Sequence, residues 1–94
     1  MPELKPVPEY VRVSKDEYRQ LRRELERTAS ASAFDFRGVW NLMIDLIEER
    51  HALVLAGKRK SELTLKQAVA DMQLSIINER AKMEQEKVHG QAGS

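Results

Sequence analysis

Ninety-four residues with a mass of 10.8 kDa make one small domain at most. A fold of this size buries roughly 60–65% of the surface its unfolded chain exposes, enough for a modest core but not for a deep catalytic cleft. Sixteen Lys and Arg against fifteen Asp and Glu leave a formal charge of +1, so bulk charge singles out no nucleic acid, membrane or acidic substrate, and the absence of cysteine excludes disulfides, thiolate zinc sites and cysteine nucleophiles.

Residues 1–13 read as an extended, solvated arm. Met1–Glu9 holds all three prolines, which lack an N–H and push the residue before them into extended backbone. The arm has no apolar core of the length a signal peptide needs. The longest apolar-rich stretch, Val39–Ile47, is broken by Asn41 and Asp45 and falls far short of the ~20 residues of a membrane span. A cytoplasmic location and no membrane partner are therefore expected.

A three-helix domain is expected over 14–88. The first helix starts at Ser14-Lys15-Asp16-Glu17, which fits a capping box, with Val13 and Tyr18 placed as a hydrophobic staple. Tyr18, Leu21 and Leu25 give it a narrow apolar stripe; the remainder is mostly Arg and Glu. Thr28–Ala33 is a small-residue connector whose hydroxyls favour a break. Ser32 or Asp35 then caps a second helix from about Phe36 to Ala56. Its apolar face is wide (Phe36, Val39, Trp40, Met43, Ile47, His51 and Val54, flanked by Leu42, Leu46 and Leu53) and asks for more than one partner. Gly57 fits a left-handed residue closing that helix.

The third helix begins at Ser61 or Thr64 and reaches about Lys87, a span of ~35 Å at 1.5 Å per residue. Leu65, Val69, Met72, Ile76 and Met83 mark one face. Residues 89–94 read as a disordered tail. The fold expected is all-α: an antiparallel hairpin of two long helices with a shorter N-terminal helix packed across it. The length of the third helix and the apolar width of the second suggest completion of the core by homodimerisation. The residues expected at that interface are Trp40, Met43, Ile47, Met72 and Ile76.

Catalytic chemistry finds little support. Glu48-x-x-His51 has the spacing used in di-iron helical proteins, and Glu86-x-x-His89 repeats it near the end of the chain, but no further inward-facing carboxylates accompany them. The serines sit at caps and connectors, and no phosphate-cradling glycine loop occurs. No enzyme activity, no metal and no cofactor are expected.

Two basic groups stand out. Arg19, Arg22, Arg23 and Arg27 lie on neighbouring faces of the first helix, with like charges four apart at 19, 23 and 27. Lys58-Arg59-Lys60 follows the second helix, where cations also complement the helix dipole. Both can contact phosphates. Leu63–Ser75 resembles the first helix and turn of a bacterial helix-turn-helix of the MerR-like kind. That resemblance implies a DNA-binding unit over 63–80, with a turn near Gln73 and a recognition helix from Ile76. Gln73 stands where such a turn usually has Gly, and a continuous amphipathic helix accounts for the same residues. Tyr10-Val11-Arg12-Val13-Ser14 resembles the groove-reading strand of the ribbon-helix-helix family, which implies a unit over 10–30 with Tyr10, Arg12 and Ser14 facing DNA. The function expected is a small non-catalytic regulatory protein that binds itself and an unidentified protein partner through amphipathic helical faces. The alternative is a DNA-binding regulator.

Overall fold

A computed structural model describes residues 3–92, with side chains from 3 to 85. These residues form three α-helices and no strand: α1 (Lys15–Ala31), α2 (Phe36–Leu55) and α3 (Leu65–Ala92). The all-α class expected from the sequence is the class that forms.

Each helix starts on a side-chain acceptor. The Glu17 amide donates to Ser14 Oγ at 3.1 Å, the Gly38 amide to Asp35 Oδ2 at 3.3 Å, and the Gln67 amide to Thr64 Oγ1 at 3.1 Å. Each satisfies one of the amides that a helix leaves unpaired at its beginning.

The ends of α1 and α2 close in the same way. At α2, the Lys58 amide donates to the Leu53 carbonyl at 2.9 Å and the Gly57 amide to Val54 at 3.0 Å, with Gly57 at φ 74°. At α1, the Phe34 amide donates to Ala29 at 2.8 Å and the Ala33 amide to Ser30 at 3.2 Å, with Ala33 at φ 60°. Both are Schellman closures, although only one uses glycine. The expected break across Thr28–Ala33 therefore comes late. Helix α1 runs through Ala31, and Thr28 Oγ1 donates back to the Glu24 carbonyl at 3.0 Å, within the helix.

The core is apolar throughout. Leu21, Leu25 and Ala29 of α1 meet Trp40, Met43, Ile44 and Ile47 of α2 and Leu65, Ala68, Val69, Met72 and Ile76 of α3. No polar or charged residue is buried among the described residues. Helix α1 packs most extensively on α3. The Trp40 ring takes Tyr18 edge-on at 5.8 Å and Phe36 tilted at 6.0 Å.

Two expectations about α3 are corrected. The helix has no turn near Gln73, so the helix-turn-helix arrangement over 63–80 does not form. Gln73 stays helical, and its Nε2 donates across to Thr28 Oγ1 at 2.9 Å, which ties the two helices together. The helix also continues through Ala92, so the backbone at 89–92 is helical where a tail was expected; Gly93 and Ser94 lie outside the described residues.

The arm docks by its apolar residues, while Glu3, Lys5, Pro6, Glu9, Tyr10 and Arg12 stay exposed. Leu4, Val7, Val11 and Val13 pack against the core, which covers one flank of the wide apolar face of α2. The segment 10–14 is not a strand. The Val11 amide donates to Pro8 at 3.0 Å, closing a turn, and Tyr10 faces α2. The ribbon-helix-helix arrangement is corrected accordingly.

The molecule measures 51 × 31 × 23 Å with a radius of gyration of 15.8 Å. A compact chain of this length would have about 12 Å. The excess comes from α3. Its last core residue is Ile76, every described side chain from Ile77 to Gln85 is exposed, and the helix from there to Ala92 adds ~24 Å.

Candidate interaction surfaces

The structure places the five residues expected at an interface (Trp40, Met43, Ile47, Met72 and Ile76) inside the core of one chain. The physical reason is that a single chain already supplies their partners: α1, the facing helix and the N-terminal arm. In the folded chain these elements cover them.

The apolar side chains that remain outside lie on other faces. Leu74 is 58% exposed and Ile77 55%, against 6% for Met72 and 4% for Ile76. Ala70, Leu74, Ile77 and Ala81 recur at spacings of four, three and four on the side of α3 turned away from the core, and all four are exposed. This is the spacing of a seam that a second helix fills. On α2, Leu42 and Leu46 are exposed and Leu53 is half-buried. Leu46 and Leu53 border an open groove whose far wall includes Leu63 and Asp71, with Glu49, Arg50 and Arg59 around it. These outer residues were legible as apolar. Nothing in their spacing said that the core would leave them uncovered.

The basic residues divide into separate places. Arg19, Arg23 and Arg27 line one shallow surface of α1 with Asp16, Gln20 and Glu24. None of the three makes an ion pair among the described residues; the pairs formed there are Lys5–Asp45, His51–Glu62 and Arg80–Glu84. Arg22 turns the other way, with its guanidinium 6.0 Å from the centre of the Phe36 ring. Lys58, Arg59 and Lys60 are exposed after the end of α2, and Arg59 joins the groove beside Leu46.

A third surface was missed by sequence reasoning. Residues 3–10 are clasped along α2. The Lys5 amide donates to Asn41 Oδ1 at 2.8 Å, Asn41 Nδ2 donates to the Glu3 carbonyl at 3.0 Å, and Trp40 Nε1 donates to the Lys5 carbonyl at 2.8 Å. Lys5 Nζ pairs with Asp45. This hydrogen bond, chiefly, raises the Lys5 pKa above the ordinary lysine value. Tyr10 stacks on His51 with ring centres 3.6 Å apart and planes 9° from parallel. Its phenol is pushed up, first by desolvation and then by the carboxylates of Glu48 and Glu62.

His51 is thus engaged on both sides, with its Nδ1 at 2.5 Å from Glu62 Oε1 rather than turned toward Glu48. Among the described residues no group of three or more His, Cys, Asp or Glu comes together to hold a metal ion. The side chains of Glu86 and His89 lie outside the described residues. No described helix is long and apolar enough to cross a membrane. No protein-family model matches the chain, and neither a curated protein nor a solved structure matches it.

Proposed function

We propose that the chain is a small, non-catalytic, cytoplasmic regulatory protein that binds other proteins through helical faces and associates with itself as a homodimer, with α2 and α3 forming an antiparallel hairpin. The observation that carries this reading is the exposed Ala70–Leu74–Ile77–Ala81 stripe, on a helix that runs well past its own core. Solvent-exposed stretches of single helix are marginal in water without a packing partner. A second copy of α3 offers the same stripe, so the two can interdigitate in a symmetric pair.

The test is light scattering coupled to gel filtration over a range of concentrations. The wild-type chain is expected to shift from monomer toward dimer as concentration rises. The double variant Leu74→Glu/Ile77→Glu is expected to lose the association that runs through α3, shifting toward dimer only at much higher concentration, with unchanged helix content. A wild-type chain that stays monomeric at every concentration sinks the reading.

A second reading is favoured by one observation, the unpaired ladder of Arg19, Arg23 and Arg27. Three like charges in register repel one another, and Asp16 and Glu24 beside them offset this repulsion only in part. This supports binding to the phosphate backbone of DNA, with Lys58–Lys60 as further contacts. Affinity for a mixed-sequence duplex would then fall steeply with salt, and Arg23→Ala would lower the salt slope by about 1. No anisotropy change at low salt removes this reading.

A further inference from the structure

The clasp between the arm and α2 has the chemistry of peptide recognition. Three of its hydrogen bonds go to backbone groups of the arm: the Lys5 amide, the Lys5 carbonyl and the Glu3 carbonyl. Asn41 supplies both a donor and an acceptor, so it reads an extended backbone in one direction. Main-chain hydrogen bonds of this kind give affinity, while side-chain contacts give specificity. The specificity here comes from Lys5, which meets Asp45, and from Pro6 and Pro8, which line an open trough together with Ala52 and Leu55 of α2. Proline also lowers the entropy lost on docking, because Pro6 holds Lys5 extended before it binds.

We propose that this face of α2 is a recognition site for an extended Lys-Pro segment, filled within the chain by residues 3–10 and able to take the same segment from a second copy. Every polar contact just described lies within Glu3–Tyr10, so only Val11–Val13 must change path for the arm to cross to a neighbour. Opening the adjoining turn breaks one backbone hydrogen bond, from Val11 to Pro8, and moves Val11 and Val13 off the core they pack against. Exchange of an identical element between copies is a low-cost route to a dimer. Tethering gives the chain's own arm a high effective concentration, so exchange grows as protein concentration rises. This site is separate from the outer stripe of α3, and the two can fail separately.

The native chain has no cysteine, which permits a direct test in the full-length protein. Glu9→Cys places a thiol on the arm, and Ala52→Cys places one on the trough, at positions that make none of these hydrogen bonds. The double variant treated with a short bismaleimide is expected to cross-link within one chain. A mixture of the two single variants is expected to give heterodimers, severalfold more than a control mixture of Glu9→Cys with Glu26→Cys on the outer face of α1. Their yield should rise with concentration and fall with Asn41→Ala or, if that variant loses helix content, with Asp45→Ala. The same yield should persist in a Leu74→Glu/Ile77→Glu background, which separates arm exchange from association through α3. Heterodimer at the control level overturns the proposal, as does a double variant that fails to cross-link within its own chain.

Discussion

The two halves of α3 share one continuous helix, yet they live in different environments. From Leu65 to Ile76 the helix buries a residue at nearly every turn, against α1 on one side and α2 on the other. From Ile77 onward no described side chain is buried. Ile76 and Ile77 are neighbours in sequence, and the step of about 100° between them carries the side chain from core to solvent. Residue type therefore says little here about role. What decides is which side of the helix faces α1 and α2, and how far along the axis those helices extend.

The largest effect that can break this comparison comes from truncating each isoleucine in turn. Ile76→Ala is expected to lower stability by about 2–5 kcal/mol, because it leaves a cavity. Ile77→Ala should stay within about 0.5 kcal/mol for the monomer. Urea unfolding at low protein concentration measures both, and equal losses would contradict the division. Next comes Gln73→Ala, in the inner half, which removes the hydrogen bond to Thr28 Oγ1. A loss of about 1 kcal/mol is expected, and it should largely vanish when Thr28→Val is already present.

The helix ends provide a smaller and sharper pair. Ala33 and Gly57 occupy the same position in the same closure, so one substitution should mirror the other. Gly57→Ala is expected to cost about 1 kcal/mol through φ alone, since an added Cβ meets nothing within 4 Å. Ala33→Gly is expected to raise stability by up to about 1 kcal/mol for the same reason, read from the thermal midpoint.

The smallest effect lies at the other end of the chain and should leave both halves of α3 alone. Lys5 and Tyr10 both have folded-state pKa values above their ordinary ones. Their contribution to docking the arm is therefore complete below those ordinary values and fades as pH rises through the folded ones. The clasp should loosen in alkali while the core persists, which NMR of the Val7 methyls would follow. An arm released at neutral pH would contradict this.

Much of the fold was legible because caps are made by side chains. Ser14 announces one helix start and Gly57 one end, while Ser32 or Asp35 and Ser61 or Thr64 were the choices for the other two starts, taken by Asp35 and Thr64. The end at Ala33 was not legible, because alanine carries no sign of a positive φ. Thr28 also misled, since the hydroxyl that suggested a break bonds within the helix instead. The candidate surfaces were harder still. Trp40, Met43, Ile47, Met72 and Ile76 were correctly read as apolar, but periodicity cannot say whether an apolar face meets its own chain or another. The clasp of the arm was invisible for a different reason. Its partners on the arm are largely backbone amides and carbonyls, which every residue carries alike, and only the Asn41, Trp40 and Asp45 side that holds them has any signature.

Trp40 is the chain's single tryptophan, and its position makes the protein its own optical reporter. The ring is packed beside Tyr18 and Phe36, while the indole N–H is held by a carbonyl of the arm. Undocking the arm exchanges that carbonyl for water and leaves the ring buried, which shifts the emission slightly to the red. Unfolding exposes the ring itself and shifts it much further. One fluorophore thus distinguishes a chain that has released its N-terminal segment from one that has lost its core, with no label attached.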